Sequence, residues 1–193
     1  MLIAFIDTKK REDFSQFKEM FDFIENYMGY LPNAYLLMAE NEALIKSFSD
    51  LTNAIFLSKN IDAGTKQLIA LASSLSSGCK YCQSHTAHGA ERSGISIKKI
   101  SDILNYSKSS LFDDKEKALL DLAFASGTAP NQSKKEHFDK LKEYFSNEQI
   151  IDIVSVISLF GFLNRWNDTF GTVIEDVPRN FLEEKLIPEG WQT

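Results

Sequence analysis

Both cysteines of the chain lie in Gly78-Cys79-Lys80-Tyr81-Cys82-Gln83-Ser84-His85, separated by two residues, with a histidine three positions after the second. Two thiols at this spacing can open and close a disulfide. An imidazole one helical turn beyond supplies a base near neutral pH that takes a thiol proton and later returns it. On a helix that begins at the first cysteine, Cys82 lies about 60° around the axis from Cys79, and His85 about 60° from Cys82 and about 120° from Cys79. His85 therefore serves Cys82 better. Cys79, at the helix N-terminus, has its thiolate favoured by unpaired backbone N–H groups and the positive end of the helix dipole. It is either the resolving partner or the more exposed attacking thiol, and the spacing leaves the order of attack open.

The same residue types also suggest zinc, because Cys79, Cys82, His85 and His88 make four nominal ligands. On one continuous helix Cys79 and His88 fall about 180° apart and cannot converge on one tetrahedral ion. No metal or organic cofactor is expected. His88 reads as facing solvent or a neighbouring helix, with a proton relay as its functional alternative, and His137, in the polar stretch 134–143, reads as a surface residue. Buried thiols acting only as small apolar side chains are the remaining structural alternative for the pair.

The elements that position these residues read as helices. Four prolines and nine glycines are few for 193 residues, and no sustained period-two alternation appears, so the predicted class is all-α, a single-domain multi-helix bundle over 1–193 with the redox core at about 63–94. Phe14, Phe17, Phe21, Ile24 and Met28 recur at spacings of three and four and predict an amphipathic helix ending near Gly29. Pro32 opens one short and one longer helix, to about Ile55. Asp62 caps a helix over 63–76, Gly78 breaks it, and the cysteine helix runs to Gly94. Ser96 starts a short helix to about Tyr106. Asp113 with Glu116 forms a capping box for a helix closed by Gly127, and Ser133 with Glu136 repeats it before a polar helix to Phe145. Asn147 caps the most apolar helix, 149–169, which is apolar almost all round and belongs in the core or at a subunit interface. With 15 phenylalanines in the chain, a homo-oligomer is expected.

Composition narrows the classes. With 44% hydrophobic residues the chain can bury a real core. Its apolar start, 1–6, meets six charged residues by position 13, too early for an export signal. The longest apolar run, 150–163, falls short of the roughly 20 residues that span a bilayer, so no membrane is expected. With 21 basic and 27 acidic residues, a net charge of -6 and no basic cluster interleaved with aromatics, nucleic acid is not an expected partner. Two cysteines without an export signal predict a cytoplasmic protein whose thiols do chemistry.

The segment Lys66-Gln67-Leu68-Ile69-Ala70-Leu71-Ala72, followed by Gly78 to Thr86, resembles the carboxymuconolactone decarboxylase-like superfamily in its alkylhydroperoxidase D-like, peroxidase-related branch. Leu31-Pro32-Asn33 and the stretch from Phe160 to Asp168 are similar to flanking elements of its longer members. The resemblance implies an all-helical subunit that forms homo-oligomers. It also implies reduction of peroxides or disulfides at Cys79 and Cys82, at the expense of an external thiol or dithiol. Two positions depart from the pattern. The relay glutamate twelve residues before the first cysteine is Gln67 here, which hydrogen-bonds but cannot shuttle a proton. The motif histidine four residues after the second cysteine is Thr86 here, with His85 one position earlier; both flank Cys82, which keeps the base role and changes its direction.

The leading expectation is a thiol-dependent oxidoreductase acting on a small peroxide or disulfide, with Cys79, Cys82 and His85 catalytic and Gln67 and His88 in support. Asn164, Arg165, Trp166 and Asp168 either line a pocket or close the last core helix, Arg165 and Asp168 as an i,i+3 ion pair. The competing readings are a lactone decarboxylase, whose superfamily members generally lack the cysteine pair, and a non-catalytic helical oligomer that senses redox state through its thiols.

Overall fold

The structure is a computed structural model that describes residues 3–191; positions 1–2 of the apolar start lie outside the described residues. It is all-α, with no strand among the described residues. Among the described residues ten α-helices follow in order: α1 Lys18–Met28, α2 Asn33–Ala39, α3 Glu42–Phe56, α4 Ala63–Ser77, α5 Lys80–Arg92, α6 Ile97–Ser101, α7 Asp114–Gly127, α8 Lys135–Leu141, α9 Asn147–Phe170 and α10 Asp176–Phe181. Short 3-10 turns precede α1, and a π-helical turn at Leu182–Leu186 continues α10.

Local chemistry sets most of these limits. Asp62 caps α4 by accepting the Thr65 amide, and Gly78 ends it at φ 83°, the left-handed conformation that glycine adopts without strain. That turn leaves Cys79 as the N-cap of α5. The Asp113/Glu116 box forms as predicted. Two caps differ from expectation. Helix α8 starts after Lys134, whose amide donates to His137 Nδ1 at 3.0 Å, so the Ser133/Glu136 box is not made and the helix stops at Leu141. Ser146, not Asn147, caps α9, because its hydroxyl and Gln149 satisfy each other's backbone amides.

Helix α4 is the hub, packed on α5, α7 and α9. Its Leu68 to Ala72 are fully buried, and the small residues let neighbours come close. A Cβ on Gly127 of α7 would fall 2.6 Å from the Ser73 carbonyl oxygen, so only glycine permits that approach. At 24 residues α9 is long and apolar enough to cross a bilayer, but it packs against α3, α4, α5 and α7 and buries Ile153, Val156, Ile157 and Phe160 among them. It is a core helix. A second cluster, with Phe14, Phe17, Phe21, Met38 and Ile45 buried, lies under α1 to α3. Each such side chain contributes roughly 1.5–3 kcal/mol by leaving water. Phe56 and Leu163 pack against both clusters, and the cavity described next opens between them.

The chain beyond α9, for which the sequence predicts no element, returns to the cysteine helix. Val173 N–H donates to the Ile3 carbonyl and Asn33 Nδ2 to the Val173 carbonyl. Helix α10 then packs on α5, burying Phe181, Leu182, Leu186 and Trp191. Glu175 is its N-cap residue.

Candidate active site

A cavity of about 460 Å³ lies between the two clusters, and Cys82, His85, Gln67, His88 and Asn167 all line it. Most of its remaining wall is aromatic and aliphatic, from Tyr30, Tyr35, Phe48, Phe56 and Phe160. Among the lining residues Arg92 carries the lone fixed charge; its guanidinium donates to the Tyr27 carbonyl at the end of α1. Phe23, Tyr27 and Leu57 line the cavity while about half exposed, and so mark its mouth.

Both cysteines are free thiols. Cys79 is 0% exposed and does not line the cavity, whereas Cys82, 2% exposed, does. The Cys79 sulfur accepts the Cys82 backbone N–H at 3.4 Å, the helix-terminal donation expected for an anion-favouring N-cap. The Cys82 sulfur receives the Asn167 side-chain amide at 3.5 Å, and the same amide group donates to the Leu163 carbonyl at 2.9 Å. That second bond fixes the orientation, since a carbonyl only accepts. Burial pushes the Cys82 thiol well above its ordinary range, the Cys79 sulfur beside it adds to the rise, and the Asn167 amide opposes it. The Cys82 sulfur, which faces the cavity, thus keeps its proton at rest.

The sequence assigns His85 as the base for Cys82, but both ring nitrogens are engaged elsewhere. Nδ1 lies 2.7 Å from the Tyr81 carbonyl and 3.2 Å from Ser84 Oγ, and Nε2 lies 2.7 Å from Glu175 Oε2. No hydrogen bond joins the imidazole to either sulfur among the described residues. Because the Tyr81 carbonyl only accepts, Nδ1 carries hydrogen. Burial pushes the Glu175 carboxyl up, but contact with His85, the Asn33 backbone amide and the Tyr81 hydroxyl outweighs it, and the net shift is down. Glu175 is therefore a carboxylate, with its Oε2 held 2.7 Å from Nε2, where it favours a proton on the ring. The Tyr81 ring stacks on His85 at 4.0 Å, and its hydroxyl donates to Glu175 at 2.7 Å while accepting the Ala34 amide at 3.2 Å.

Gln67 faces Gly89 of α5, where a Cβ would fall 2.7 Å from its side-chain oxygen, so a close helix crossing admits the amide to the cavity. His88 is half-buried against Phe181 and Tyr30. Burial and then Arg92 lower its pKa, so it stands neutral in the wall. His137 is the α8 capping residue noted above. Arg165 and Asp168 are exposed and form no ion pair with each other among the described residues, and Asn164 is buried with its amide near the Ser73 carbonyl at 3.5 Å. The sequence reading missed Glu175 and Asn167. For Asn167 a signal existed, an amide one turn after Leu163 in the polar end, Asn164 to Asp168, of a mostly apolar helix.

The all-α fold is the one shared by alkylhydroperoxidase D-like proteins. The chain belongs to the carboxymuconolactone decarboxylase family, whose model matches residues 42–125. It is 36% identical to the debrominase Bmp8, crystallised as a cysteine-to-alanine variant with 2,3,4-tribromopyrrole, over 95% of this chain and 97% of that one, at a TM-score of 0.87. The unliganded debrominase matches at 37% identity and 0.86. An uncharacterized peroxidase-related protein from Ralstonia eutropha JMP134, with an alkylhydroperoxidase AhpD core, shares the fold at 22% identity and a TM-score of 0.80, over 94% of this chain and 96% of that one. The uncharacterized protein YdfG of Bacillus subtilis (strain 168) is 25% identical over 143 residues, 74% of this chain and 88% of its own.

Proposed function

We propose that the chain is a dithiol-dependent reductase that removes halogen from a small halogenated aromatic compound. The observation that carries this reading is Cys82 in the wall of a ring-lined cavity of about 460 Å³ with Cys79 directly behind it. Pockets of this size and apolar lining suit a ring-sized hydrophobic molecule. The similarity to a debrominase over nearly the whole chain supports the same choice. Replacing carbon-bound bromine by hydrogen takes two electrons, which is what two thiols release on forming a disulfide. Cys82 releases its proton to water and the thiolate attacks bromine, the electron pair of the carbon–bromine bond stays on the ring carbon, and that carbon takes a proton from His85; of the two thiol protons, one restores His85 through water and the other leaves with bromide. The Cys79 thiolate then attacks the brominated sulfur, closing the disulfide and expelling bromide. In sum, one carbon–bromine bond and two thiols become one carbon–hydrogen bond, one disulfide and hydrogen bromide. Glu175 holds the imidazole charged and oriented, the part left open by glutamine at position 67.

The second reading is reduction of an organic hydroperoxide or a small disulfide by the same pair, with Cys82 passing through a sulfenic acid or a mixed disulfide. The hydrogen-laden imidazole beside the cavity favours the peroxide, because a leaving alkoxide needs a proton. A homo-oligomer remains part of the proposal; an apolar groove of α3 and α9 with Leu51, Ile151 and Phe162 exposed supports it.

The test is multiple turnover with dithiothreitol on a brominated pyrrole, a bromophenol, cumene hydroperoxide and a small aromatic disulfide, for wild type, Cys79→Ser and Cys82→Ser. Bromide release lost in both variants supports the leading reading. Peroxide or disulfide turnover without bromide release supports the second. Unchanged turnover in both variants, or activity indifferent to thiol alkylation, removes the dithiol cycle and favours the decarboxylase or sensor readings.

A further inference from the structure

We infer that the electron donor is a small free thiol that enters the substrate cavity and attacks the Cys82 sulfur, so that substrate and reductant alternate in one chamber. This rests on the dithiol cycle proposed above, and it names the partner that closes that cycle.

The disulfide has two sulfurs, and the fold offers access to one. Cys79 is 0% exposed and does not line the chamber, while Cys82 faces it. On the opposite side of α5, the C-terminal segment covers Lys80 and Gln83 with Ile174, Leu182 and Trp191, and the hollow of about 220 Å³ left there is lined by neither sulfur. Thiol–disulfide exchange needs the incoming thiolate in contact with the sulfur it attacks. Cys82 is 2% exposed and lies inside a chamber whose mouth is edged by Phe23, Tyr27 and Leu57, which keeps it from a sulfur carried on the surface of a folded dithiol protein. A small thiol passes it.

Attack on Cys82 is also favoured by its leaving group. An incoming thiolate forms a bond to the Cys82 sulfur, the sulfur–sulfur bond breaks, and Cys79 departs with the electron pair. The Cys82 backbone N–H that lies 3.4 Å from the reduced Cys79 sulfur receives that charge, and a stabilised thiolate leaves faster. A second thiolate attacks the external sulfur of the mixed disulfide, frees Cys82, and carries the two electrons' worth of oxidation away as a small disulfide.

The experiment uses the full chain without substrate. The reduced protein is closed to its Cys79–Cys82 disulfide with diamide, and the return of titratable thiols is followed with dithiothreitol, 2-mercaptoethanol, or thioredoxin kept reduced by its reductase. Small thiols are expected to reopen the bond at least about 100-fold faster than thioredoxin at equal thiol concentration, access being what differs. Asn53→Trp, on the cavity face of α3, is expected to slow small-thiol reduction by about ten-fold for the same reason, with helicity by circular dichroism unchanged. Thioredoxin as fast as dithiothreitol, or an Asn53→Trp protein reduced at the wild-type rate, would overturn the inference. Reopening by small thiols without turnover of any halogenated, peroxide or disulfide substrate removes the substrate reading and leaves this one standing. A pair that diamide cannot close removes both.

Discussion

Replacing Glu175 by glutamine isolates the pair that holds His85. The Glu175 side chain is 12% exposed, lies 2.7 Å from His85 Nε2, and accepts two hydrogen bonds, from the Tyr81 hydroxyl at 2.7 Å and from the Asn33 amide. In Glu175→Gln the amide oxygen can keep the last two, but no carboxylate faces the imidazole. Breaking a buried ion pair costs about 3–5 kcal/mol, and retention of two hydrogen bonds puts the expected loss at the lower end, about 3 kcal/mol. For a domain of this size that corresponds to a melting point roughly 6–12 °C lower at neutral pH. The sign of the pH dependence follows from the lowered carboxyl. Its contribution is fully present above its ordinary value of 4.5 and is lost as the pH falls through the lower folded-state value. Glutamine does not titrate, so the gap between wild type and variant is widest at neutral pH and closes in acid. Urea unfolding of both proteins at about pH 7, 5 and 3.5 measures it. A gap that stays constant across that range, or no gap at neutral pH, would refute the charged pair.

Two further perturbations bear on the thiol and on the frame. Asn167→Leu removes the amide that lowers the Cys82 thiol, so iodoacetamide alkylation of Cys82 shifts to higher pH and slows several-fold at fixed pH near 8; a shift to lower pH contradicts the assignment. Lys66, 1% exposed, donates to the Phe56 and Ser58 carbonyls at the end of α3. Lys66→Met keeps the apolar stem and strands those carbonyls, at an expected cost of about 1–3 kcal/mol in urea unfolding. A variant as stable as wild type shows that the lysine does not hold that end.

The sequence makes the helices and the cysteine pair legible because both are local. Asp62, Gly78 and Gly29 are punctuation that acts within one turn, and the α4 and α5 limits follow within a residue or two. The two displaced caps show competition between neighbours: Ser146 precedes Asn147 with Gln149 in register, and His137 takes the role read into Glu136. The site itself is legible only where it is local. Tyr81 and Glu175 meet across 94 positions and Cys82 and Asn167 across 85, and no periodicity encodes such contacts. Spacing places His85 one turn from Cys82 but cannot show that a carboxylate from α10 and the carbonyl one turn back occupy both its nitrogens. The His85–Glu175 contact therefore comes partly from a segment in which the sequence predicts no element.

The most direct measurement of the account is a single turnover without added reductant. Fully reduced protein is mixed with an excess of a brominated pyrrole, and bromide, free thiols and intact mass are recorded on the same sample. One bromide released per chain, both thiols lost together, and a mass lower by two hydrogens are the predicted result. Bromide released while Cys79 and Cys82 remain titratable would contradict it.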